Sequence, residues 1–121
     1  MVIHPYHYQL MRCLIRFHVK GDHRIPLTCA DRTELVDSLN LTISKSSIVK
    51  VLSEGQKARK EVSQHVLDQL MRCINYTNWN SFLQKNPVPK GEYYILLRAK
   101  SRKKLLQAVE ERMLELMPLN T

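Results

Sequence analysis

Four residues come closest to forming a chemical constellation: Lys45, Ser46, Ser47 and Lys50, just behind the capping candidate Ser44. On a helix spanning Lys45–Ser53 they occupy the N-terminal half, the part that enters the major groove in a helix-turn-helix. Serine hydroxyls reach phosphates or base edges with little discrimination, and lysines reach phosphates or guanine acceptors. Two basic runs follow, Lys57, Arg59 and Lys60, then Arg98, Lys100, Arg102, Lys103 and Lys104. Neutralising phosphates with such groups releases counterions and makes binding salt-dependent. A short charge run alone is more often a solvated face. Nineteen lysines and arginines against eleven acids leave a net charge of +8 in 121 residues, which favours a polyanionic partner. The expectation is double-stranded DNA, read by Lys45, Ser46, Ser47 and Lys50 and held through its backbone by Lys57, Arg59, Lys60, Arg102, Lys103 and Lys104.

Other chemistries find less support. Cys13, His18, His23 and Cys29 invite a zinc reading, but five residues along a helix turn a side chain about 140° away from the starting face. Cys13 and His18 therefore diverge, and no Cys-x-x-Cys pair is present. There is no glycine-rich phosphate loop, no paired acidic constellation and no nucleophile with a local base pattern. His65 and Asp68, one turn apart, read as a surface pair. No enzyme activity, cofactor or metal is expected. The three cysteines, an odd number in apolar-periodic settings, read as buried reduced thiols. No apolar run approaches the roughly 20 residues of a membrane span. MVIHPYHYQLMRCLIRFHVK, broken by His4, His7, Arg12 and Arg16, is a poor signal peptide, so a cytoplasmic location is expected.

The elements that would position these residues follow from periodicity and caps. Behind Pro5, Tyr8, Met11, Leu14, Ile15 and His18 or Val19 share one helical face, with Arg12, Arg16 and Lys20 opposite and Gly21 closing the helix. Thr28 with Asp31 makes a short capping box for a helix from Cys29 or Ala30 to Leu39, burying Leu35, Val36 and Leu39. After the Lys45–Ser53 helix and its closing Gly55, Ser63 opens a helix to Ile74 with Val66, Leu67, Leu70, Met71 and Ile74 inward. Asn75 ends that helix, and Thr77 or Asn78 caps a short one holding Trp79, Phe82 and Leu83.

Ile43-Ser44-x-x-Ser47-Ile48-x-Lys50, a basic spacer, Ser63-x-x-Val66-Leu67-Asp68-x-Leu70, then Asn75-Tyr76-x-x-Trp79-x-x-Phe82 resembles a short helical module. That module recurs at the N-termini of many bacterial proteins, particularly from Bacteroidetes. The likeness covers about residues 35–83 and implies a degenerate helix-turn-helix that binds DNA. Asn75 stands where a glycine is usual, and asparagine tolerates the left-handed turn. Lys50 replaces an arginine, keeping the charge but losing a bidentate reader.

The expected fold is all-α: a compact set of five to six helices containing a helix-turn-helix-like unit over residues 1–86, a Pro-rich connector at 87–91, and a C-terminal helix over 92–121. Tyr93–Leu97 is strand-like in composition but has no partner segment, so helix is expected there. Leu97, Leu105, Val109, Met113 and Leu116 form the stripe of the last helix, while Leu106, Leu114 and Met117 fall off it. That surplus of apolar surface requires either packing across the first helix or docking on a second copy, and a homodimer through Tyr93–Met117 is expected. The alternative function is a protein–protein adaptor that uses this helix.

Overall fold

The computed structural model describes residues 3–38, 63–88 and 102–116, and all regular structure among them is helical. The elements are α1 (Pro5–Lys20), α2 (Cys29–Ser38), α3 (Gln64–Cys73), α4 (Trp79–Lys85) and α5 (Arg102–Leu116). The expected helix Lys45–Ser53, the basic bridge Lys57–Lys60 and the strand-or-helix segment Tyr93–Leu97 lie outside the described residues.

Helices α1 to α4 each begin or end where a local hydrogen bond closes them. At α1, Pro5 gives up no needed donor, and His4 serves as the cap, its Nδ1 accepting from the Tyr6 N–H at 3.1 Å. Gly21, at φ 75°, ends the helix, and its N–H reaches the Phe17 carbonyl at 2.8 Å. Any side chain there would be strained by that left-handed backbone. Thr28 and Asp31 form the reciprocal capping box: the Thr28 N–H donates to Asp31 Oδ2 at 2.9 Å and the Asp31 N–H to Thr28 Oγ1 at 3.1 Å. Lys20 Nζ sits 2.9 Å from the same carboxylate, which ties the last turn of α1 to the first turn of α2.

Ser63 caps α3 by accepting from the Val66 N–H at 3.2 Å. At the other end Asn75 adopts φ 69°, so that the Tyr76 N–H reaches the Met71 carbonyl and the Asn75 N–H reaches that of Arg72. This is the Schellman closure, with asparagine in the left-handed position. Asn78 then caps α4 through the Ser81 N–H at 2.9 Å. Asp68, expected to pair with His65 on the surface, instead accepts from the Trp79 N–H at 2.9 Å and satisfies a second orphan donor of α4.

One apolar core takes residues from every described helix: Leu10, Met11 and Ile15 of α1, Leu35 of α2, Leu67, Leu70 and Met71 of α3, Trp79 and Phe82 of α4, Val109 and Met113 of α5. The closest helix pairs are α1 with α5 and α3 with α4. Helix α5 thus lies against the first helix, one of the two placements its apolar surplus required. Leu14, Val36, Ile74, Leu105 and Leu116 pack at the core's margin.

Two expectations from the sequence are corrected. Arg12, assigned to the solvent side of α1, is only 4% exposed. Its guanidinium carbon lies 5.3 Å from the Tyr8 ring centroid, over the ring. Cys29, read as buried, is exposed at the start of α2, whereas Cys73 is buried and Cys13 half-buried. Burial pushes the Cys73 thiol up to about 11, so it stays protonated and unreactive at neutral pH.

Candidate nucleic-acid interface and the polar joint beside it

Of the ten residues expected to meet DNA, Lys45, Ser46, Ser47, Lys50, Lys57, Arg59 and Lys60 lie outside the described residues. Arg102, Lys103 and Lys104 fall together in the first turn of α5, where Lys103 is exposed. That turn holds no acid, and the last turn of the helix holds no base. Such an arrangement opposes the helix's own dipole, which favours acids at its start by roughly 0.3–1 kcal/mol each. An anion placed there would be attracted by Lys103 and by the dipole together.

Several described cations are already engaged within the fold. Lys20 pairs with Asp31, Arg24 lies 3.7 Å from Asp22, and Arg32 donates to the Leu27 carbonyl at 3.0 Å. Arg112 donates to Glu115 at 2.8 Å. By contrast, residues 39–62 carry Lys45, Lys50, Lys57, Arg59 and Lys60 against only Glu54 and Glu61. The flanks of that segment reach one apolar core, through Leu35 on one side and Val66 and Leu67 on the other. Among the described residues no cluster of three histidines, cysteines or acids is placed to hold a metal ion.

What sequence reasoning missed is a buried polar joint where α1, α4 and α5 meet. Its centre is Asn86, which is 0% exposed. The amide nitrogen donates to the Phe82 carbonyl at 3.0 Å and to the Tyr76 hydroxyl at 3.2 Å. The amide oxygen accepts from Arg112 Nε at 2.8 Å, while Arg112 Nη2 donates to the Lys85 carbonyl at 2.9 Å. The main-chain carbonyl of Asn86 accepts from His7 Nε2 at 2.7 Å, which fixes that ring nitrogen as the protonated one. Two of the last four carbonyls of α4, those of Phe82 and Lys85, are satisfied by this joint. The His7 ring packs edge-on against Trp79 and Phe82, at centroid distances of 6.3 and 5.9 Å. The only local signal was Asn86-Pro87, which reads as a turn and says nothing of burial.

Both histidines at the start of α1 need to stay neutral. His4 must keep Nδ1 unprotonated to cap the helix, and burial lowers its pKa from the ordinary 6.5. His7 is also lowered, chiefly by burial and further by the charge of His4, against the upward pull of the Asn86 carbonyl. The unfolded chain therefore takes up protons that the folded chain refuses. The stability these two residues contribute is complete above the unfolded value of 6.5 and is lost as pH falls from there through the lowered folded values. Melting curves recorded from about pH 8 to pH 4.5 should show a decline beginning near neutrality. His4→Asn keeps a cap without a titrating ring and should flatten part of it. A melting temperature constant across that range would contradict this account.

Comparison of the chain with protein-family models, curated proteins and solved structures gives no match.

Proposed function

We propose that the chain binds double-stranded DNA, as a transcriptional regulator or accessory factor, through a helix-turn-helix-like unit. In this reading Lys45, Ser46, Ser47 and Lys50 meet base edges, and Lys57, Arg59, Lys60, Arg102, Lys103 and Lys104 grip phosphates. The observation that carries it is the distribution of charge: the chain is +8, while Lys20, Arg24 and Arg112 are answered by Asp31, Asp22 and Glu115. Eight of the nineteen lysines and arginines are assigned to DNA, and five of those eight fall within residues 39–62, which hold only two acids.

Fluorescence anisotropy of a labelled random duplex across a salt series tests the reading. Affinity should fall by at least about 10³-fold between low and physiological salt, with each lost phosphate contact reducing the log–log slope by about one. Lys50→Ala and charge reversal at Lys57 and Lys60 should weaken binding. No binding at low salt would remove the proposal.

A second reading, the adaptor, is favoured by one observation: Leu106 and Leu114 are 43% and 58% exposed on α5. Such side chains on one helix suit a protein partner, and a second copy of this chain is the partner the DNA reading prefers, since paired half-sites go with two-fold symmetry. Leu106→Asp should then abolish the dimer seen by light scattering at micromolar concentration and leave the salt slope of any remaining binding unchanged. A monomer in the wild-type protein would remove the dimer. Pulldown of a partner sensitive to Leu106→Asp but not to Lys50→Ala would favour the adaptor.

A further inference from the structure

Among the described residues the exposed large apolar side chains are Ile25, Leu106 and Leu114. One contact gathers them on one side of the molecule. His23, buried in the connector between α1 and α2, has its Nε2 2.7 Å from Glu110 Oε2. That contact sets the connector, with Ile25 two residues on, against the turn of α5 that Glu110 occupies. Leu106 stands one turn before Glu110 and Leu114 one turn after it, so both share its face of the helix. The connector is fixed on either side of Ile25: the Ile25 N–H donates to the Asp22 carbonyl at 3.2 Å, and Leu27 is buried. Exposed apolar side chains gathered on a fixed surface and rimmed by charge mark an interaction site.

The charge along α5 selects what fits. Its first turn holds no acid and presents Lys103, whereas its second half carries Glu110, Glu111 and Glu115 against Arg112 alone. Both ends run against the helix dipole, which favours acids at the start and bases at the end. DNA phosphates answer only the basic start, and a partner of one sign is repelled at one end. A second α5 laid antiparallel answers both ends, because each basic start meets the other's acidic half and the two dipoles oppose. A two-fold axis at Glu110 also brings Leu106 level with the partner's Leu114, four residues from the axis on each helix. At the axis each Glu110 is held by its own His23.

We propose that this face is a two-fold interface between copies of the chain. In it α5 packs antiparallel on α5, with Leu106 beside the partner's Leu114, Ile25 at the margin and Lys103 directed to the acidic half of the opposite helix. The inference rests on the two-copy reading above and adds to it the surface, the direction of the helices and the part played by charge. Lys103 is the one residue shared with the DNA set, so the test is made without DNA.

Sedimentation velocity of the full-length chain over a micromolar concentration series is the test. Lys103→Glu and Glu111→Lys, both at exposed positions, should each weaken the dimer about tenfold, since the two-fold axis counts every change twice. The double variant Lys103→Glu/Glu111→Lys exchanges the two signs and should return to within about threefold of the wild type. A parallel pairing would show no such loss and recovery. Leu114→Gln removes the most exposed of the apolar side chains, should weaken the dimer by at least about tenfold, and carries the test alone if the charge variants do not fold. A monomeric wild type overturns both this interface and the two-copy reading. A dimer that keeps wild-type affinity in the folded single variants, or that the double variant does not restore, overturns this interface and leaves the two-copy reading standing.

Discussion

Trp79→Ala is expected to destabilise the protein by about 3–5 kcal/mol, the usual loss when a large aromatic leaves a packed core. For a chain of this length that corresponds to a melting temperature lower by roughly 10–20 °C. Trp79 is nearly fully buried and stacks on Phe82 at a centroid distance of 5.1 Å with the rings 26° apart. Phe82 in turn takes the edge of Tyr76 at 5.1 Å, and His7 of α1 approaches both α4 rings. Removing the indole opens a space that rings held by α1, by α4 itself and by the turn before α4 cannot collapse to fill, which places the loss at the upper part of the range. Trp79→Phe should cost less, since it retains most of the stack. Thermal denaturation followed by circular dichroism decides the matter, and an unchanged melting temperature in Trp79→Ala would refute this packing.

How much of this was legible beforehand follows from the range of each interaction. The caps at Thr28, Ser63 and Asn78 and the stops at Gly21 and Asn75 were visible in the sequence, because each is a contact within a few residues whose chemistry is carried by residue type. The inward stripe of α3 was readable for the same reason. Arg12 defeated the pattern because a long side chain can bury its stem along an aromatic ring, and periodicity registers only its charge. Asp68 looked like a neighbour of His65, but its true partner is the Trp79 N–H eleven residues on. The joint was invisible: His7 meets Asn86 across 79 residues, and His23 Nε2 meets Glu110 Oε2 at 2.7 Å across 87. Nothing local marks either pairing. For the DNA site the case is reversed, since its residues were chosen from type and spacing and seven of the ten lie outside the described residues.

Asn86→Ala is expected to cost about 2–4 kcal/mol, a large loss for so small a side chain. The amide gives two donors and one acceptor: to the Phe82 carbonyl in a buried bond, and to the Tyr76 hydroxyl and the Arg112 Nε in half-buried ones. The bond from Arg112 is charge-assisted, contributing about 1.5–3 kcal/mol, and truncation also leaves a guanidinium N–H facing an empty site. His7 keeps its bond, because it is made to the main-chain carbonyl of residue 86. The pH decline attributed to the histidines should therefore survive in Asn86→Ala even as the melting temperature falls throughout. Asn86→Asp should fall between wild type and alanine, since a carboxylate still receives Arg112 but sets an oxygen against the Phe82 carbonyl. A double-mutant cycle gives the decisive number. If Arg112 acts through Asn86, Arg112→Met should cost less by about 1–3 kcal/mol in the Asn86→Ala background than in the wild type. Additive losses would mean that the two side chains stabilise the protein separately, with α5 held to α1 by its apolar contacts and the joint contributing nothing as a unit.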